Sequence, residues 1–340
     1  MKRSAPGTRP VWMAALLLSL AGVRTSAAPQ ERPDRLRVIV SILPQVYFVE
    51  RIGGPHVQVE PLVGAGQSPH IYEPTPRQLE SLARAKLYFT IGIDFETPLL
   101  PRIRDRFRNV AIVDTRAGVP LRYLSADELA AEAAHAHGPG AQDDGHEHQD
   151  KKPTGTKPGD PAAAGSHAEP AGLPDPHVWL NPLYVKIQAR TIADALIAAD
   201  PPNAEDYRRN LAAFSTDLDR LHQQTSAALA PLRGKAVYVF HPAFGYFTDA
   251  YGLRQVPVEM GGKEPSARHL AALIRRARDE GVRAIFVQPQ YPTKAAETVA
   301  RAIGAVVIQI DDLPQDYIKS LEDTAAKVRS ALAAPAQNTK

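Results

Sequence analysis

The stretch from Asn203 to Leu232, NAEDYRRNLAAFSTDLDRLHQQTSAALAPL, constrains the fold of this chain more than any other. Ala204, Tyr207, Leu211, Phe214, Leu218, Leu221, Thr225 and Leu229 recur at spacings of three and four, which puts them on one face of an α-helix. Asp200 or Asn203 can cap its start, Pro201 suits a first turn, and Pro231 and Gly234 end it. At about 1.5 Å per residue the segment spans roughly 40 Å, the size of a domain. A helix of that length acts as a rigid strut between whatever lies on either side of it.

The same rhythm lies on both sides. Before the helix come four short apolar runs, RVIVSIL (37–43), VQVEPLV (57–63), LYFTI (87–91) and VAIV (110–113). Helix-like segments separate them: PQVYFVERIGG, TPRQLESLARA and PLLPRIRDRF. After the helix come AVYVF (236–240), QVPVE (255–259), AIFVQ (284–288) and AVVIQI (305–310), with SARHLAALIRRARDEG among them. Continuous apolar strands alternating with helices imply a parallel sheet covered on both faces. The expected fold is α/β: two lobes, each a mostly parallel sheet flanked by helices, joined by one long rigid backbone helix. The boundaries read as an N-terminal lobe over 29–202, the linking helix over 203–232 and a C-terminal lobe over 233–340.

Two segments stand outside this scheme. Residues 1–28 carry a basic start (Lys2, Arg3, Arg9), an apolar run from Trp12 to Val23 and small residues at Thr25–Ala28. That pattern predicts a cleavable secretory signal peptide, cut after Ala27, because the run is too short to span a bilayer. The segment holds four of the chain's 40 Lys+Arg and none of its 37 Asp+Glu, so the remainder has 36 against 37. The apparent basicity belongs to the export signal, which leaves nucleic-acid binding without electrostatic support. The second segment is 133–172, with Gly and Pro at 12 of its 40 places and no aromatic or branched aliphatic side chain. It cannot bury enough apolar surface to offset ordering and is expected to be a disordered insertion. The chain has no cysteine. Disulfides, thiolate ligands and a lipidated N-terminal cysteine are therefore excluded, and the exported protein is expected to be periplasmic or otherwise extracytoplasmic.

Outside the insertion, His56, His222 and His269 read as ordinary surface or packing residues. His70, His177 and His241 differ. His70 sits between Pro69 and Pro74 ahead of a helix, in a loop stiffened to present a side chain. His177 lies in LPDPHVWLNP, where Asn181 can cap and Pro182 can start a helix. His241 directly follows a strand. Ligands of open α/β sheets bind outside the carboxyl ends of strands, and all three positions are compatible with that edge. Spacing alone leaves open that they are three unrelated loop histidines. Asp311 and Asp312 also end a strand. Three neutral imidazoles and a carboxylate would suit a borderline cation such as Zn²⁺, whereas adjacent acids at a strand end serve equally well to cap a turn.

SPHIYEPTPRQL, DPHVWLNP, VFHPAFGYF, GGKEPSARHL and IDDLPQDY occur in this order. Together they resemble the zinc-binding members of the metal-specific solute-binding proteins of ABC transporters (cluster A-I), over residues 36–332. The resemblance implies two α/β lobes, a long backbone helix and a metal in the interlobe cleft. It places the ligands at His70, His177, His241 and Asp311, although Asp312 stands where the family has proline. A histidine at 241 implies zinc over manganese, since imidazole is the softer donor. The family's histidine-rich insertion corresponds to the segment holding His135, His137, His146, His148 and His167. Glu73 could accept an imidazole N–H or serve the start of the following helix.

The function implied is high-affinity zinc capture and delivery to the membrane permease of an ABC importer with its cytoplasmic ATPase. No reaction is catalysed and the protein is expected to act as a monomer. A periplasmic zinc chaperone is a further candidate partner. Competing readings are a secreted zinc hydrolase, a metal-binding adhesin, a periplasmic metal buffer, or manganese uptake. A hydrolase needs an open water position and a general base, and the chain has no HExxH helix.

Overall fold

The computed structural model describes residues 35–125, 128, 172–259, 267–291 and 293–333. The expected signal peptide, and all of the 133–172 insertion except Gly172, lie outside the described residues. The described residues form one compact unit.

All eight apolar runs form strands. In the first half these are β1 (Leu36–Val40), β2 (Val57–Pro61), β3 (Leu87–Thr90) and β4 (Ala111–Asp114). The helices among them are α1 (Leu43–Gly53), α2 (Pro76–Ala83) and α3 (Glu96–Arg106). The second half has β5 (Ala236–Val239), β6 (Arg254–Pro257), β7 (Ala284–Val287) and β8 (Val306–Gln309). Helices α6 (Gly245–Tyr251), α7 (Ala267–Asp279) and α8 (Lys294–Ile303) lie among these strands, and α9 (Tyr317–Ala333) follows them. Between the halves run α4 (Pro182–Ala199) and α5 (Ala204–Leu229).

The sheets share one topology, β2-β1-β3-β4 and β6-β5-β7-β8, and every pairing is parallel. Val38 pairs with Val59 on one side and Leu87 on the other, and Tyr238 pairs with Val256 and Ile285. Strand order reverses between β1 and β3 and again between β5 and β7. Those reversals open a crevice at the carboxyl edge of each sheet.

Helix α5 is the predicted strut, 26 residues long. Tyr207, Phe214, Leu218, Leu221, Thr225 and Leu229 are buried, and Ala204 and Leu211 are half-buried. Its start differs from expectation. Neither Asp200 nor Asn203 caps it through its side chain, because Pro201–Asn203 forms a 3₁₀ turn ahead of it. That turn sets Asp200 back from the first free N–H groups. Asp200 instead accepts hydrogen bonds from Asn203 Nδ2 at 2.7 Å and the Tyr207 hydroxyl at 2.5 Å. Glu205 and Asp206 in the first helical turn suit its positive end.

One buried cluster runs through both halves by way of this helix. It joins Val38, Val40 and Phe48 to Phe214 and Leu218, then to Val237, Phe286, Tyr317 and Leu321. Tyr317 of α9 packs edge-on against Phe48 of α1, with ring centroids 4.9 Å apart. A second cluster, with Tyr238, Val256, Leu273, Ile285 and Val299, includes the partners of α7 and α8 on the second sheet. No helix among the described residues is long and apolar enough to cross a membrane.

Candidate metal centre

His70 lies in a single 3₁₀ turn, Pro69–Ile71, opened by proline. Gln78 holds the loop that carries it. Thr75 and Gln78 form a capping box at the start of α2, with the Thr75 N–H donating to Gln78 Oε1 at 3.0 Å. Gln78 Nε2 donates to the Leu62 carbonyl at 2.7 Å, and the Tyr72 hydroxyl donates to Gln78 Oε1 at 2.6 Å. The His70 side chain is 1% exposed, although neighbouring Ile71 is 76% exposed.

His177 precedes the 3₁₀ turn Val178–Leu180 and α4, which Asn181 caps by accepting the Leu183 N–H at 3.0 Å. Trp179 fixes this segment to the second half. Its indole N–H donates to the Asp312 carbonyl at 2.5 Å, and the Tyr317 hydroxyl donates to the Trp179 carbonyl at 2.7 Å.

His241 follows β5 at the reversal beside β7. Gln288, after β7, grips its backbone at both ends: the His241 N–H donates to Gln288 Oε1 at 3.2 Å, and Gln288 Nε2 donates to the His241 carbonyl at 2.7 Å. Tyr291 stacks on the imidazole, with centroids 4.8 Å apart and planes 23° from parallel.

These elements bring the three histidines together. One ligand nitrogen from each lies within 4.8 Å of the others. The Nε2 atoms of His70 and His241 are 3.2 Å apart, and those of His241 and His177 are 3.4 Å apart. Each ring's other nitrogen meets a carboxylate. Asp94 lies 3.1 Å from His70 Nδ1, Asp175 lies 2.8 Å from His177 Nδ1, and Glu259 lies 2.6 Å from His241 Nδ1. A carboxylate only accepts, so each Nδ1 is the donor and each Nε2 keeps its lone pair. Three lone pairs then face one point, and three acids behind them make the surroundings favourable for a cation. That is the donor geometry of a metal centre.

Asp94, Asp175 and Glu259 were not singled out from the sequence, though each had a signal. Asp175 stands two residues before His177 in DPH, Asp94 follows strand β3, and Glu259 closes the run QVPVE. Glu73 is exposed. The acceptor for the His70 imidazole is Asp94, and the start of α2 belongs to Thr75 and Gln78. Glu96 orders the loop bearing Asp94, accepting the Ile91 and Gly92 N–H groups at 2.8 and 2.7 Å and the Ser41 hydroxyl. Burial pushes the Glu96 carboxyl up, against those hydrogen bonds.

Asp311 does not join the three-histidine group. Its Oδ1 accepts the Leu313 N–H at 2.9 Å, the turn-capping arrangement. Burial raises its pKa, and the charge of Asp312 adds to this against the Leu313 and Gln290 hydrogen bonds. Asp312 is 4% exposed, and its Oδ1 is buried without a hydrogen bond. Of the histidines read as ordinary, His56 Nε2 lies 2.8 Å from Asp206 and His222 packs against Tyr251.

Two parallel α/β sheets of one topology, with inward-facing imidazoles drawn from both halves, define a metal-binding protein of the two-sheet kind. The chain belongs to the family described as zinc-uptake complex component A, periplasmic (ZnuA), whose model matches residues 38–331. It is 28% identical over 296 residues to the high-affinity zinc uptake system protein ZnuA of Bacillus subtilis, covering 85% of this chain and 82% of that protein. It is 26% identical over 327 residues to the zinc-binding protein AdcA of Streptococcus pyogenes; the match covers 93% of this chain but spans only 59% of AdcA. A crystal structure of a ZnuA deletion mutant with zinc bound is 35% identical and superimposes with a TM-score of 0.72, covering 89% of this chain and 100% of that one.

Proposed function

We propose that this chain captures zinc outside the cytoplasm with high affinity and delivers it to the permease of an ABC importer. The observation that carries the reading is the convergence of three Nε2 lone pairs, each imidazole backed by its own carboxylate. Three imidazoles suit zinc better than a harder cation such as manganese. The zinc-bound ZnuA relative and the named zinc proteins of B. subtilis and S. pyogenes support the same metal.

His70, His177, His241 and Asp311 are the proposed ligands, the last turning from its Leu313 contact to complete a four-coordinate shell. Export by residues 1–28, the division into lobes 29–202 and 233–340 about the helix 203–232, and action as a monomer belong to the same proposal. So does a scavenging role for the histidine-rich insertion. The test is elemental analysis of the untagged protein, followed by competitive titration with zinc and manganese. One zinc per chain, held against excess manganese, is expected. A manganese-loaded protein, or one that binds neither metal tightly, overturns the reading. Growth of a deletion strain under chelation, restored by excess zinc, separates import from adhesion or buffering.

A further inference from the structure

Arg122 makes hydrogen bonds through all three of its guanidinium nitrogens, each to a different carboxylate. Its Nη1 donates to Asp175 Oδ2 at 2.8 Å, its Nη2 to Glu128 Oε1 and Oε2 at 2.7 and 2.9 Å, and its Nε to Asp249 Oδ2 at 2.9 Å. Its backbone joins in. The Arg122 N–H donates to the Tyr246 hydroxyl at 2.8 Å, and its carbonyl accepts the Asp175 N–H at 2.8 Å. Asp175 is the acid behind His177, where Oδ1 accepts from both the His177 N–H and Nδ1. Tyr246 and Asp249 lie on α6, in the half that carries His241. Glu128 is also linked to that half, accepting from Gln255 Nε2 at 2.7 Å.

We propose that Arg122 is a positioning residue for metal capture: through Asp175 it sets the ring of His177, and through Tyr246, Asp249 and Glu128 it ties that ligand to the half bearing His241. The inference rests on the metal-capture reading above. Asp175 and Glu128 are buried, with side chains 0% and 2% exposed, so each depends on this guanidinium for a counter-charge. A planar fork can serve three acids in fixed directions, which a lysine ammonium on a flexible stem cannot. Gly245, the glycine of VFHPAFGYF, makes room for it. A Cβ there would lie 2.4 Å from Arg122 Nη1 and 2.6 Å from Asp175 Oδ2. The glycine opening α6 is thus explained by the close approach of the guanidinium.

The test uses the full exported chain and its Arg122→Gln, Arg122→Lys and Gly245→Ala variants. Zinc affinity is measured by competition with a chelator of known strength, and the histidine ring nitrogens are followed by long-range ¹H–¹⁵N spectra of the apoprotein. Arg122→Gln is expected to weaken zinc binding by roughly tenfold, the low end for residues that orient a ligand. The His177 signals alone are expected to move from the Nδ1–H form toward a tautomer mixture, while those of His70 and His241 hold. Arg122→Lys keeps the charge and should show a smaller change of the same kind. Gly245→Ala, which displaces the fork without removing any charge, should reproduce the His177 change if Arg122→Gln fails to fold. Wild-type affinity and wild-type His177 signals in the folded variants overturn the proposal, and so does an equal disturbance of all three histidines. If the unaltered chain binds no zinc, the functional reading fails instead, and the His177 comparison still decides the role of Arg122.

Discussion

An imidazole offers a metal only the nitrogen that it does not use as a donor, so the partner of the other nitrogen decides whether a histidine can be a ligand. At this centre the partners are Asp94, Asp175 and Glu259. His241 sits deepest, 0% exposed, gripped by Gln288 and stacked by Tyr291. Replacing His241 with Ala removes one of the converging donors and should weaken zinc binding by about 3 kcal/mol, on the order of a hundredfold, in calorimetry at fixed pH. The proposed acidic ligand is tested by comparing Asp311→Asn with Asp312→Asn in the same measurement. Asp311→Asn is expected to lose affinity and Asp312→Asn to keep it. The reverse result would move the fourth ligand to Asp312, whose Oδ1 is buried without a hydrogen bond. The three histidines were legible because residue type and a strand-end position are local facts. Their backing acids carried weaker signals, because an acid in a loop has no period and, Asp175 beside His177 apart, the partner is 18 or 24 residues away.

At the scale of elements, the strands and the long helix follow directly from apolar periodicity. Helix α5 buries its predicted face against α1, α4 and α9. Phe214 is the pivotal one. It lies 6.0 Å from the ring of Tyr47 and 5.9 Å from that of Phe48, with the Arg51 guanidinium 5.0 Å from its ring centroid. Phe214→Ala should destabilise the apoprotein by about 3–5 kcal/mol in chemical denaturation, the range for emptying a well-packed aromatic site. An exposed position on the same helix, Arg208 for example, should change stability by less than about 0.5 kcal/mol when replaced with Ala. What periodicity could not supply was the start of the helix, where a proline-led turn displaces the expected cap.

For the whole molecule, the metal site and the core both bridge the halves. His70 and His177 come from the first half and His241 from the second, so a metal held by all three requires both halves folded and in place. Saturating zinc, at about a thousand times its dissociation constant, should therefore stabilise the fold by about 4 kcal/mol, read as a rise in Tm that a chelator reverses. Deleting residues 135–168 should leave that rise and one tight site intact, while removing any additional weak zinc sites. The stem of the insertion lies outside the deletion: Tyr123 bridges to Pro174, and the Leu124 N–H donates to the Leu173 carbonyl at 3.0 Å. Loss of the tight site from a folded deletion variant would mean that the insertion supplies a primary ligand.

The sequence by itself determined eight strands, the long helix and three candidate histidines, because each depends on residues within a few positions of one another. Only the tertiary structure decided which groups meet. It set Tyr317 against Phe48, hung Trp179 from the Asp312 carbonyl, and gathered three carboxylates behind three imidazoles. It also showed Asp311 Oδ1 accepting the Leu313 N–H, a contact that two adjacent acids in the sequence do not reveal. The physical reason is that a hydrogen bond or a ring contact between distant residues leaves no trace in local periodicity. Its energy depends on distances that exist only once the two sheets have been brought side by side.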